Sequence, residues 1–340
     1  MLHVKTIVLG LVLLLVLRCA FVSAPIVEID FVDADFQTQN PLSHHCRLWA
    51  MVAASVAEEV VLDHLVNLPC SLKNLGASND DGWGLAYYNN SEPKVFRSKL
   101  AANADPNFNL AAQELAHSGA HVAVGHVRIA TSGASDIPDP HPFMRYKHGK
   151  WWAFGHNGGL SKITLIDLIG PLYLEQNPPT VGDNWNDTKV VDSELYMLYI
   201  LKCAEENDWN ATLGIAKAVR DIVEHDSGAM NFFLTDGETL WGFCRGNTLY
   251  YYINETAPMY CAVASQPPAS NESGWVSLSE LSLVILTMDD PPVIIADVAT
   301  IPELSLVVTL PFLVAVALFA VFAYVRKRRD HVEMDSEENR

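Results

Sequence analysis

Apolar residues recur at helical spacing in two long stretches, residues 193–205 and 211–223, and this spacing predicts two amphipathic helices. The same period over 58–68 predicts a third helix, and 109–117 a short one. Elsewhere the apolar positions alternate or cluster in runs too short for helices. Runs at 46–54, 122–130 and 151–154 predict strands, the last ending in a tight turn at Asn157-Gly158-Gly159. Residues 81–88 read as a turn into a strand. Five more strands are expected at 230–235, 239–244, 248–253, 261–265 and 281–287. Strands, then helices, then strands again, without βαβ alternation, point to a layered α+β fold.

Two apolar segments stand apart from this pattern. Lys5 precedes an apolar stretch at 7–17, and the small residues Val22-Ser23-Ala24 follow it, so 1–24 reads as a signal peptide. Pro25 disfavours cleavage directly after that triplet, and an uncleaved anchor is the other reading. Residues 304–325 are apolar and uncharged, about the length a membrane-spanning helix needs. Arg326-Lys327-Arg328-Arg329 follows at once, which places the tail 326–340 in the cytoplasm. The chain is therefore expected as a single-pass cell-membrane protein with its main domain extracellular or lumenal. Residues 25–45 read as a linker or pro-segment, 46–290 as one domain, and the proline-bearing 291–303 as a stalk.

Composition narrows the partners. A formal net charge of −18 argues against nucleic acid, whose phosphates would be repelled. Glycosylation triplets begin at Asn89, Asn186, Asn210, Asn254 and Asn271, in keeping with an extracytoplasmic domain. With Cys19 in the signal and Cys46 set aside, Cys70, Cys203, Cys244 and Cys261 allow two disulfides in any of three pairings, or four buried thiols. His44, His45, Cys46 and His141 match no common zinc spacing, so neither metal nor cofactor is expected.

Six short motifs carry the candidate chemistry: Cys46-Arg47-Leu48, Asp81-Gly82-Trp83-Gly84, His126-Val127-Arg128-Ile129-Ala130-Thr131, His141-Pro142-Phe143, Phe154-Gly155-His156-Asn157-Gly158 and Asp192-Ser193-Glu194. In this order and over 46–265 they resemble the class II glutamine amidotransferase domain, most of all its stand-alone branch of γ-glutamyl hydrolases. The resemblance implies a four-layer αββα N-terminal nucleophile hydrolase fold. It implies that Cys46 is the nucleophile and that Asn157 and Gly158 hold the oxyanion. Arg128 would grip a substrate α-carboxylate and Asp192 its α-ammonium. Thr131, Gly82, Trp83 and His141 would be further substrate contacts, His156 would orient the Asn157 turn, and Arg47 would support the pocket.

The chemistry is self-consistent. A free thiol titrates near 8.5 and an α-amine near 7.7–8.0, so one terminal cysteine supplies both attacker and base. At position 46 that amine exists only after the bond following His45 is cut. Other readings of single motifs are an Asn-Gly hairpin turn at 157–158, a structural ion pair for Arg128, and a helix N-cap for Asp192. Two positions depart from the branch: Asn79 stands where a histidine is usual, and Gln266 where an acid is common. The expected function is a membrane-anchored amidase acting on glutamine or a γ-glutamyl amide. The alternatives are a glutaminase subunit passing ammonia to a partner synthase, and a catalytically silent ligand-binding surface module.

Overall fold

The computed structural model describes residues 45–54, 57–89, 92–133, 141–182, 184–254, 260–270 and 272–301, all within one compact unit. The expected signal peptide, the pro-segment ahead of His45, the membrane helix and the tail lie outside the described residues. Among the described residues no helix is long and apolar enough to cross a membrane.

Side chains of a strand alternate between its two faces, so a strand covered on both sides must be apolar throughout. β1 (Arg47–Ala53) is such a strand, buried along its whole length. After it come α1 (Glu58–Leu62), prolonged by a π-helical turn (Asp63–Asn67), then α2 (Leu72–Leu75), β2 (Trp83–Asn89) and β3 (Glu92–Ser98). Next are α3 (Pro106–His117), β4 (Val122–Val127), β5 (Phe143–Lys147), β6 (Lys150–Gly158), α4 (Lys162–Ile169) and α5 (Pro171–Gln176). The two long helices α6 (Asp192–Glu206) and α7 (Ala211–Val223) lead into β7 (Met230–Thr235), β8 (Leu240–Cys244), β9 (Tyr250–Asn254) and β10 (Tyr260–Ala264). β11 (Trp275–Ser277), β12 (Ser282–Leu286), β13 (Val293–Ile295) and a 3₁₀ turn (Val298–Thr300) close the unit.

The strands form two antiparallel sheets, ordered β11-β9-β10-β1-β4-β2-β3 and β13-β12-β8-β7-β6-β5. Three apolar layers hold them. Trp49 and Met51 of β1 face α1–α3 with Leu65 and Phe108, whereas Leu48, Ala50 and Val52 face the second sheet with Phe233 and Val284. On the far side of the second sheet, Phe232 and Leu234 of β7 pack under Leu165, Leu198 and Ile215 of the later helices. The result is an α+β arrangement of helices, sheet, sheet and helices.

Local signals explain where several helices begin. Asp105 accepts from Asn107 N at 2.9 Å ahead of Pro106, and Asn210 accepts from Leu213 N at 3.1 Å at the start of α7. Such caps are worth about 1 kcal/mol each.

The structure differs from the sequence expectations at several points. Asn157-Gly158 is no hairpin turn: it is the end of the nine-residue β6, paired with Asn231 and Met230 of β7. Within the segment expected as a stalk, β13 pairs with β12, Val298 is buried, and Arg220 donates to Ala299 O at 3.1 Å. Helices α4 and α5 and strands β3, β5 and β11 were not legible, being short or edge elements. The five described cysteines are all free thiols. Cys244 and Cys261 lie in the layer between the sheets, on different sheets, and Cys203 is buried in α6.

Candidate active site

Cys46 stands at the entry to the central strand β1, which β4 flanks with Arg47 opposite Val127. The chain leaving β4 therefore runs directly past the sulfur. Cys46 Sγ donates to Ile129 O at 3.5 Å and accepts from Ile129 N at 3.4 Å.

The Asp81-Gly82 turn fixes that passing segment. Arg128 N donates to Gly82 O at 2.8 Å, Asp81 N donates to Arg128 O at 3.1 Å, and Asp81 Oδ2 accepts from Ala130 N at 2.7 Å. Gly82 has φ +117°, and a Cβ there would sit 2.6 Å from Ser98 O, so the position admits only glycine. Arg128 is thus held by its backbone, while its Nη2 donates to Ser132 O at 2.8 Å.

Ser132 also joins this segment to α6. Its hydroxyl donates to Asp192 Oδ1 at 2.6 Å, and Leu160 N donates to Asp192 Oδ2 at 2.9 Å. Asp192 is the first residue of α6, and Val191 occupies the cap position, so its carboxylate does not cap the helix. It lies instead at the positive end of the helix dipole.

The third wall is the end of β6. A Cβ on Gly158 would lie 1.9 Å from Ala229 O and 2.5 Å from His156 Nε2, so backbone alone fits there. Asn157 O accepts from Asn247 Nδ2 at 3.0 Å, and Asn157 Oδ1 is buried with no hydrogen-bond partner among the described residues. His156 donates from Nε2 to Ala229 O (3.1 Å), so Nδ1 is free to accept from Ser193 Oγ (2.9 Å). This neutral imidazole ties the end of β6 to α6.

One pocket gathers Cys46, Arg128, Thr131, His141, Gly158 and Asp192. Three of the sequence-derived residues stand behind it. Gly82 grips the Arg128 backbone, and Asn157 precedes the lining Gly158. Trp83 packs edge-on against Phe108 with centroids 5.0 Å apart and donates to Asp105 Oδ2 at 3.1 Å, away from the pocket. Ser132 and Ser193, not anticipated as functional, link the walls. Their only sequence signal was adjacency, Ser132 to Thr131 and Ser193 to Asp192.

Burial dominates the electrostatics. It pushes the Cys46 thiol up to about 11, against the help of Ile129 N–H and the Arg128 charge. It lowers the Arg47 guanidinium as well. His126, its ring tilted 46° against that of His141 with centroids 4.1 Å apart, is pushed down to about 3 by burial and then by Arg128. His141 falls well below its usual value and His156 is lowered, both chiefly by burial. All three rings are neutral near pH 7. A pocket with a fixed cation, a fixed anion and a thiol can hold an α-amino acid and bring a more distant carbonyl to sulfur.

Comparisons with known proteins bear on the family and the fold. The family model for class-II glutamine amidotransferases matches residues 45–268. A Haemophilus influenzae protein provisionally named a glutamine amidotransferase is 27% identical over 187 residues, 53% of this chain and 56% of that protein. A similarly named protein of Escherichia coli K12 is 24% identical over 186 residues, 52% of this chain and 65% of the relative. The matches thus span little more than half to about two thirds of those relatives' length. Among solved structures, the glutamine phosphoribosylpyrophosphate amidotransferase of B. subtilis superposes with TM-score 0.52 at 15% identity, over 74% of this chain and 49% of that one. An allosteric regulatory enzyme of purine biosynthesis gives TM-score 0.54 at 16% identity over the same shares, a likeness of fold alone. With the family model covering most of the described unit and the motif residues converging on one pocket, the chain belongs to the class II glutamine amidotransferase family.

Proposed function

We propose that the chain is a membrane-anchored, extracytoplasmic amidase that hydrolyses glutamine or a γ-glutamyl amide with Cys46 as nucleophile. The observation that carries this reading is the convergence of Cys46, Arg128, Asp192 and Gly158 on a single pocket. Arg128 takes the substrate α-carboxylate and Asp192 the α-ammonium, which leaves the γ-carbonyl to reach the sulfur. Sγ attacks that carbonyl, and Gly158 N–H with the Asn157 amide holds the oxyanion. The α-amine of Cys46 passes the thiol proton to the leaving amine, and water then releases glutamate from the thioester.

In the uncut chain the thiol is held at about 11 and stays protonated near neutral pH. Cutting after His45 places a titratable amine on the same residue, which supplies the missing base. The uncharged stretch 304–325 followed by four basic residues supports the membrane anchor, and the apolar 7–17 supports export.

The test is to sequence the mature N-terminus and to assay glutamate release for the wild type and for Cys46→Ala. Expected are a mature chain beginning at Cys46 and loss of turnover in the variant. Active protein with an intact bond before Cys46 refutes the mechanism.

A further inference from the structure

Arg47 carries a charge that no neighbouring carboxylate balances. It is 9% exposed, and Nη1 donates to His45 O and to Cys46 O (3.1 Å) while Nε donates to the Gln266 side-chain oxygen (3.3 Å). Among the described residues its partners are therefore all uncharged. Burial lowers the guanidinium, yet from a range so far above neutrality that it keeps its proton. A buried cation normally pairs with a carboxylate, because desolvation is otherwise costly. Asn79, 2% exposed, donates from Nδ2 to the same His45 oxygen at 2.6 Å. Its own side-chain oxygen accepts from Ser78 Oγ at 3.3 Å, which leaves the NH2 group facing His45. Two donors, one of them cationic, thus converge on an atom joined to Cys46 N through a single carbonyl carbon.

In the mature chain Cys46 N is an amine in the space these donors face. The oxygen and nitrogen of one peptide group lie about 2.3 Å apart, so the Arg47 nitrogen bonded to that oxygen stands within roughly 5 Å of Cys46 N. A like charge at that range disfavours the ammonium form. The hydrogen bonds act in the same sense, because only a neutral amine has a lone pair to accept from Asn79 Nδ2. We propose that Arg47 and Asn79 hold the terminal amine of mature Cys46 in its unprotonated form, the form that serves as base, and that Gln266 leaves Arg47 free to do so by being neutral. A carboxylate at 266 would pair with the guanidinium and cancel its field. The bonds of Arg47 to Cys46 O and Gln266 do not involve His45, so they keep the guanidinium in place once His45 is gone.

The other charges around Cys46 come from the facing elements. Arg128, on the segment leaving β4, acts with Arg47, while Asp192 at the head of α6 opposes it, and Ser132 bonds to both. Asp81 is held on Ala130 N, and His141 and His156 line the pocket as neutral rings. Arg47 is the charge left without a counterpart. An α-amine ordinarily titrates near 7.7–8.0, and a guanidinium so close lowers that by about one pH unit or more. The base then persists in mildly acidic surroundings, where an ordinary terminal amine is mostly ammonium. Arg47 and Asn79 are positioning residues here, acting on the reaction only through the amine.

This inference rests on the proposed role of the Cys46 amine, and the experiment separates the two. A full chain carrying a factor Xa site directly before residue 46 is cut in detergent to give the mature terminus. Glutamate release from glutamine is followed between about pH 5 and 9, since the acid limb of kcat/KM reports the base of the free enzyme. In parallel, the terminal amine of a Cys46→Ser chain is titrated by trace acetylation, read from the mass of its N-terminal peptide, which needs no turnover. Expected in both is a midpoint about one pH unit or more below the ordinary 7.7–8.0. Gln266→Glu adds a carboxylate at the guanidinium, Arg47→Met removes the charge, and Asn79→Asp replaces a donor with an anion. Each is expected to raise the midpoint by about one unit; a merely structural role would change stability and leave the midpoint where it was. An amine titrating at its ordinary value, or a midpoint unmoved by Gln266→Glu, overturns the tuning whether or not glutamate is released. A lowered amine midpoint that returns upward in the variants, without glutamate release, supports the tuning and overturns the hydrolase reading alone.

Discussion

Acid is the perturbation that tests the buried imidazoles around the pocket. His126 lies in β4, fully buried, its ring on His141 and its charge opposed by Arg128. Its folded-state value of about 3 lies far below the 6.5 of the free side chain. Between these values the unfolded chain binds the proton and the folded chain does not, so stability rises with pH across that window. The contribution is complete above about 6.5 and is lost as pH falls toward 3. At pH 5 the unfolded ring is protonated over neutral by roughly thirtyfold, which removes about 2 kcal/mol. His141 and His156, both lowered by burial, act in the same direction. Against a typical total of about 5–15 kcal/mol the loss is large. The assay is urea unfolding at pH 7.5 and pH 5 for the wild type and for His126→Phe, which keeps a ring against His141 and cannot titrate. The variant is expected to lose about 2 kcal/mol less than the wild type between the two pH values. An equal loss in both proteins, with equal denaturant slopes, refutes the neutral buried ring.

Three further outcomes follow from the geometry. Asn157→Ala should lower kcat by about 10²–10³ with little change in KM, since an oxyanion donor acts only in the transition state; a changed KM with intact kcat would assign Asn157 to substrate binding. Arg128→Lys should lower kcat/KM for glutamine by roughly ten- to a hundredfold, because a point charge replaces a planar fork, and steady-state kinetics would show it. Arg145 Nη2 pairs with Glu194 Oε1 at 2.6 Å, and Glu194 is 1% exposed. Glu194→Gln should therefore cost about 3 kcal/mol in urea unfolding by leaving the Arg145 charge without its carboxylate, and adding Arg145→Met should recover much of it.

Periodicity made the long elements legible. Ala211–Val223 reads as a helix because Ile215, Val219 and Ile222 recur on one face, and all three are buried. The helix α4 escaped because Ile163, 74% exposed, breaks the apolar stripe that burial alone would make regular. Trp83 was expected as a substrate contact because it sits inside a motif. Alternation along β2 turns it toward Phe108, while its neighbours Asp81 and Gly82 support the Arg128 segment. Asn157-Gly158 carries the composition of a hairpin turn, yet pairing with β7 extends β6 through both residues.

The amino-acid order alone pointed to the candidate side chains and to an α+β scaffold, since residue types and apolar periods are local properties. What it left open was which of them meet. Cys46, Arg128, Gly158 and Asp192 are scattered over nearly 150 positions of chain and converge because β1 lies beside β4 while α6 packs over the end of β6. Asn79 and Gln266 looked like isolated oddities in the sequence. Folding sets Asn79 on the carbonyl of His45 and Gln266 on the arginine that grips the same oxygen. Contacts between residues so distant in sequence depend on sheet order and packing, which no local pattern encodes.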